Sequence, residues 1–137
     1  AVPNERAEQI RRMAASRDIS IGDAVGLLIA EGIRAGLLPD ELPGYSVTRR
    51  REKITVRIDD FERTFPLESA ERFASRLDDP DVSEPHRVQV VDMYRDYQAS
   101  RRGNGTRITS ISDPSFQKIL APSIARDLAR LLRRASE

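Results

Sequence analysis

The side chains best suited to hold a ligand lie in two arginine-rich stretches. One carries Arg49, Arg50 and Arg51 with Lys53, and the other carries Arg101 and Arg102 with Arg107. A guanidinium offers a planar fork of N–H donors that can grip a phosphate with paired hydrogen bonds. Each stretch sits at a turn signal between extended segments. The clearer one is RRGNGT at 101–106, because Gly and Asn accept positive φ. Phosphate contacts of this kind position a polyanion without reading its sequence. An unliganded, solvated hairpin turn favours the same charged residues.

Other chemistry is thinly represented. Acidic residues gather at Asp59–Asp60, Asp78–Asp79 and Asp81, and paired carboxylates can bind a divalent ion. Their spacing fits no calcium loop, and turn formation with helix capping accounts for them. His86 is the only histidine. A histidine could serve as an acid or base, but no Ser or carboxylate partner is fixed by spacing. RRGNGT lacks the length and the following lysine of a phosphate-binding loop. There is no cysteine, which excludes disulfides, thiolate catalysis and Cys-based zinc sites. We therefore expect no catalytic set, no metal site and no cofactor.

Composition sets the frame. The chain has 137 residues, 39% hydrophobic and 33% charged. That is enough apolar material for one ordinary domain or a small domain with an attached module. Aromatics are 5% and Trp is absent, so the core must rest mainly on Ile, Leu, Val and Ala. Net charge is +1, and the basic excess falls after residue 44. A net charge this small does not mark a polyanion binder. Lys53 and Lys118 are the only lysines among 23 basic residues. That bias suits phosphate contact, and an arginine-favouring coding bias produces it equally. No run of 18 apolar residues and no signal segment is present, so the expectation is a cytoplasmic protein without a membrane span.

The elements that would position the arginines look duplicated. Tyr45 aligns with Tyr97, Arg49–Arg50 with Arg101–Arg102, Ile54–Thr55 with Ile108–Thr109, and Asp59 with Asp113. Further on, Phe73–Ala74 aligns with Leu128–Ala129 and Leu77 with Leu132. Strands are expected at 45–48, 53–59, 63–67 and 106–111. Helical spacing predicts a helix at 68–78, burying Ala70, Phe73, Ala74 and Leu77. It predicts another at 123–134, burying Ile124, Leu128, Leu131, Leu132 and Ala135. Arg126, Arg130, Arg133 and Arg134 should face water. Residues 79–85 read as a loop, 86–100 as a helix or a long bent strand, and 115–120 as a return strand or a short helix. The fold class is α+β, with a helical hairpin followed by a duplicated strand–turn–strand–helix unit in a mostly antiparallel sheet. Modules are expected at 1–38 and 45–137, joined by the Pro-rich LLPDELPG at 37–44, a breaker-rich linker.

Within the first module, Ala7, Ile10, Met13 and Ala14 form one apolar stripe of a helix that Asn4 can cap. Ser20, with Asp23 three residues on, opens a second helix. Its stripe is Ala24, Val25, Leu28, Ile29 and Ile33, and Gly36 closes it. From Val2 to Leu38 this arrangement resembles the two helices of the ribbon-helix-helix DNA-binding family. The resemblance covers about a quarter of the chain and rests on the Ile10–Ala14 spacing, the turn ending in Ser20 and the Val25–Ile33 stripe. It implies an intertwined homodimer. It also implies a phosphate grip by the backbone at Ser20, Ile21 and Gly22, and a base-reading strand that would lie before Val2.

Together these features lead us to expect a non-catalytic DNA-binding or DNA-associated regulatory protein that forms a homodimer through its N-terminal helices. The rival is a protein-interaction module without nucleic-acid binding. A small hydrolase ranks third.

Overall fold

A computed structural model of the chain describes residues 2–78, 89–90, 97–110 and 112–137. The expected loop at 79–85, with Asp79 and Asp81, lies outside the described residues, as do His86 and most of the ambiguous stretch 86–100. Contacts divide the chain into two compact units, Ala1–Asp40 and Glu41–Glu137, and the division falls within the Pro-rich linker.

The first unit is a pair of helices, α1 (Asn4–Arg17) and α2 (Ile21–Arg34). Pro3, not Asn4, is the N-cap of α1. Its extended backbone offers a carbonyl that accepts from the amides of Arg6 and Ala7, and no side chain caps this end. Asp18, at φ 53°, ends α1 in the left-handed region, which Asp tolerates better than most residues. Two residues later Ser20 opens α2, its Oγ accepting from the amide of Asp23 at 3.0 Å, as a good N-cap does. Ala14 and Ala24 are buried in this unit.

The second unit begins with the antiparallel meander β1 (Tyr45–Arg50), β2 (Lys53–Ile58) and β3 (Phe61–Pro66), followed by α3 (Leu67–Asp78). A second sheet has the order β4 (Gln89–Val90), β5 (Tyr97–Arg102), β6 (Gly105–Ser110) and β7 (Gln117–Leu120), and α4 (Pro122–Ser136) follows it. The class is α+β, as expected, and 117–120 is the return strand rather than a helix. The described strands make two sheets, and every described pairing is antiparallel. Each meander hands its chain directly to a helix, so the halves meet through side chains rather than through a shared ladder.

Hairpin register establishes the repeat. Tyr45–Arg50 pairs with Lys53–Ile58 as Tyr97–Arg102 pairs with Gly105–Ser110, with no insertion. By this register Ile108 matches Val56, not Ile54, so the alignment of the two Ile–Thr dipeptides is two residues out. Such a slip keeps every side chain on its proper face, which is why it passes unnoticed in a pattern of period two. The β6–β7 connection, 111–116, is longer than Asp59–Asp60. Beyond it a single new offset holds, placing Ala70, Phe73, Ala74 and Leu77 level with Ala125, Leu128, Ala129 and Leu132. All eight are buried.

The halves also contact each other as the two sides of a twofold interface do, each residue meeting the counterpart of its own partner. Phe61 and its equivalent Phe116 stack at 4.2 Å and 11°. Asp78 of α3 pairs with its equivalent, Arg133 of α4. Arg63 donates to Ser112 in the second half's connection (3.0 Å), and its equivalent Lys118 donates to Asp59 in the first half's turn (2.9 Å). The Asp59 bond raises the pKa of the Lys118 ammonium, because it favours the charged form. Around this pseudo-axis lies one continuous core. Ile54, Val56, Ile58, Phe65, Phe73 and Leu77 meet Tyr97, Ile108, Leu120, Leu128 and Leu132. Full burial of an apolar side chain of this size is worth about 1.5–3 kcal/mol. The Tyr97 hydroxyl, fully buried, donates to the Val56 carbonyl at 3.4 Å, tying β5 to β2.

One position departs from the repeat for a steric reason. A Cβ on Gly105 would lie 2.6 Å from the Leu120 carbonyl oxygen, whereas the equivalent Lys53 is exposed. Gly105→Ala should therefore cost about 1–3 kcal/mol in urea unfolding, as overpacking does. Lys53→Ala should stay within about 0.5 kcal/mol of wild type.

Candidate nucleic-acid interface

The candidate binding residues fall into two groups on separate units. Ser20, Ile21 and Gly22 form the N-terminus of α2. The first amides of any helix have no intrahelical acceptor, and the helix dipole adds a partial positive charge there. Asp23 in this turn offsets part of that charge and takes up the Ser20 oxygen. Ile21, at the first position of the helix, is exposed.

In the second unit the arginines occupy equivalent hairpin tips. Arg51 and Gly103 stand at the same turn position with φ 59° and 60°. An arginine is held in this left-handed conformation at one tip. At the other stands the residue that adopts it without strain. In both tips the first arginine of the pair is bound to that turn. Arg49 Nε donates to the Arg51 carbonyl at 2.9 Å, and Arg101 Nε to the Gly103 carbonyl at 2.8 Å. Arg49 goes further. Its Nη1 donates to the carbonyls of Glu137 (2.7 Å) and Ser136 (3.3 Å). A cation thus sits at the negative end of the α4 dipole.

Arg49 and Arg101 are therefore turn clamps whose donors are partly engaged by backbone carbonyls, although Arg49 remains exposed and Arg101 is half-buried. Alternation foretells this. Arg49 shares a strand face with Tyr45 and Val47, which pack against the core, while Arg50 takes the opposite, solvent-facing side. Arg107 is half-buried, with its Nε donating to Ser100 Oγ at 3.4 Å. The exposed cations of the candidate set are Arg49, Arg50, Arg51 and Lys53 at one tip and Arg102 at the other, and of these Arg49 is held by backbone carbonyls.

Sequence reasoning missed the cations that cross between the halves. Arg63, Lys118 and Arg133 carry no motif, and their roles follow only from the repeat offset. Arg133, expected in water, pairs with both Asp78 and Glu71, and those bonds raise its pKa. Burial raises the pKa of the half-buried Tyr45 hydroxyl, since it penalises the phenolate. Among the described residues, no group of three His, Asp or Glu side chains is arranged to hold a metal ion. No helix among them is long and apolar enough to cross a membrane.

The first unit also presents apolar surface. Ile21, Val25, Leu27, Leu28 and Ile29 of α2 are each exposed by 39–51%. An open groove of about 450 Å³ runs past Met13, Arg17, Leu27, Leu28, Ala30, Glu31 and Arg34. Comparison of the chain with protein-family models, with curated proteins and with solved structures gave no match.

The Ser20 cap is the most testable part of the first unit. Ser20→Ala should cost about 0.5–2 kcal/mol of local stability, and Ser20→Gly only a few tenths. Amide exchange of residues 23–28, compared between the two variants, checks the difference.

Proposed function

We propose that the chain is a non-catalytic DNA-binding or DNA-associated regulatory protein. The observation that carries this reading is the first unit. A short helix pair opens its second helix with a Ser20-capped N-terminus and leaves much of that helix's apolar surface exposed. One half of an intertwined ribbon-helix-helix dimer presents these same features. In this reading the exposed side chains of α2 meet those of a second copy, giving a homodimer. Ile21 and Gly22 supply backbone amides to a phosphate on each side.

The second unit supports the reading with nonspecific charge. Arg50, Arg51, Lys53 and Arg102 are exposed at the hairpin tips and would contact phosphates without reading bases. A second reading, a protein-interaction module, is favoured by the apolar surface alone. Leu27, Leu28 and Ile29 would then cover another protein's surface and the arginines would serve solubility.

Titration of the protein with mixed-sequence duplex fragments across a salt series separates the two. The DNA reading predicts binding at low salt that weakens linearly on a log–log scale. Arg50→Ala with Arg102→Ala should weaken binding to all sequences alike and reduce the salt slope by about 2, one unit for each lost phosphate contact. Arg49→Ala should instead act mainly on stability. Absence of binding at low salt ends the DNA reading and leaves the interaction module.

A further inference from the structure

The α3–α4 contact carries a second kind of information. Its two helices occupy equivalent positions about the pseudo-twofold axis, yet their charges at equivalent positions are opposite. Glu71 corresponds to Arg126, Arg72 to Asp127, and Asp78 to Arg133. Asp78 and Arg133 face each other across the axis, and Arg133 also reaches Glu71.

In a true twofold pairing a residue on the axis faces its own copy. An α3–α3 pairing between chains would set Asp78 against Asp78, with Glu71 close by. An α4–α4 pairing would set Arg133 against Arg133 near Arg126. Both place like charges where the chain has an ion pair. Several of the apolar contacts supply no such discrimination, although Phe73 has Leu128 as its equivalent. Phe61 and Phe116 are the same residue type, and Ala70, Ala74 and Leu77 match Ala125, Ala129 and Leu132. These matched positions do not distinguish homotypic from heterotypic pairing, and the sign inversion does.

We propose that this inverted charge set is a pairing-specificity device. It makes the α3 half recognise the α4 half and reject a second α3 half, so that the unit Glu41–Glu137 closes as one heterotypic pair. The partner of each helix face is thereby identified by chemistry, the Glu71 and Asp78 carboxylates of α3 with the Arg133 guanidinium of α4. This inference does not depend on DNA binding.

The test is a charge-reversal cycle in the full chain, followed by urea unfolding with the near-ultraviolet dichroism of the buried Tyr97 as the signal. One variant makes both faces basic (Glu71→Arg with Asp78→Arg). A second makes both acidic (Arg126→Glu with Arg133→Asp). The third combines all four changes and restores opposite signs with polarity exchanged. Each one-sided reversal should lower the folding equilibrium constant about 10-fold, the effect of losing two partly exposed ion pairs and gaining repulsion. The four-fold variant should recover to within about 3-fold of wild type, and the one-sided losses should shrink at about 1 M salt. A four-fold variant as impaired as the product of the two one-sided variants would overturn the proposal. So would one-sided variants no weaker than wild type.

Discussion

The contact on which the rest of the second unit depends is the packing of two like halves across an internal pseudo-twofold axis. Phe61 against Phe116 marks one point of that axis and Asp78 against Arg133 another. A three-stranded meander with one helix has too little apolar surface to form a core of its own size. Two such units facing one another bury both inner sheet faces and both helix stripes at once. The reciprocal reach of Arg63 and Lys118 into the opposite half's turn follows from the same geometry. So does the position of Tyr97, a first-strand residue of one half's hairpin whose hydroxyl bonds to the second strand of the other.

That arrangement decides which arginines remain available. Residues on the inner sheet face must serve the fold, and the inner arginine of each hairpin, Arg49 or Arg101, is spent on its own turn carbonyl. Only the outer residue of each pair, Arg50 or Arg102, projects from the other side. An arginine-rich turn is therefore a mixture of structural and exposed cations. The first unit has the opposite character. Its buried residues are few and small, and many of its larger apolar side chains, among them Leu27, Leu28 and Ile29, remain exposed, which is why it carries the proposal of assembly.

Much of the fold is legible in the sequence because its signals are local. Period-two alternation places β2, and helical spacing places α3 and α4 with most of their buried residues. The Ser20 cap and the Pro-rich boundary can be read from single residues and dipeptides. What escapes depends on the third dimension. Aligning Ile54–Thr55 with Ile108–Thr109 matches letters where the hairpin register matches Val56–Arg57, and two-residue periodicity hides that slip. Division into two sheets is set by which inner faces meet, and no residue in the chain encodes that alone. Arg133 reads as solvated because it lies off its own helix's apolar stripe, and its partners Glu71 and Asp78 come from a distant segment. In the candidate site, residue type is legible and availability is not. The exception is Arg49, whose inward side follows from the alternation of Tyr45 and Val47.

Native-state amide hydrogen exchange across β2 and β6 tests the central claim most directly, because it asks whether the two halves are one cooperative unit. The slowest amides of Ile54–Ile58 and Thr106–Ser110 should open with the same free energy and the same dependence on denaturant, since neither half keeps its core without the other. If the amides of one half exchanged through an opening that left the other half fully protected, each half would hold its own core, and the shared pseudo-twofold packing would not be what stabilises the unit.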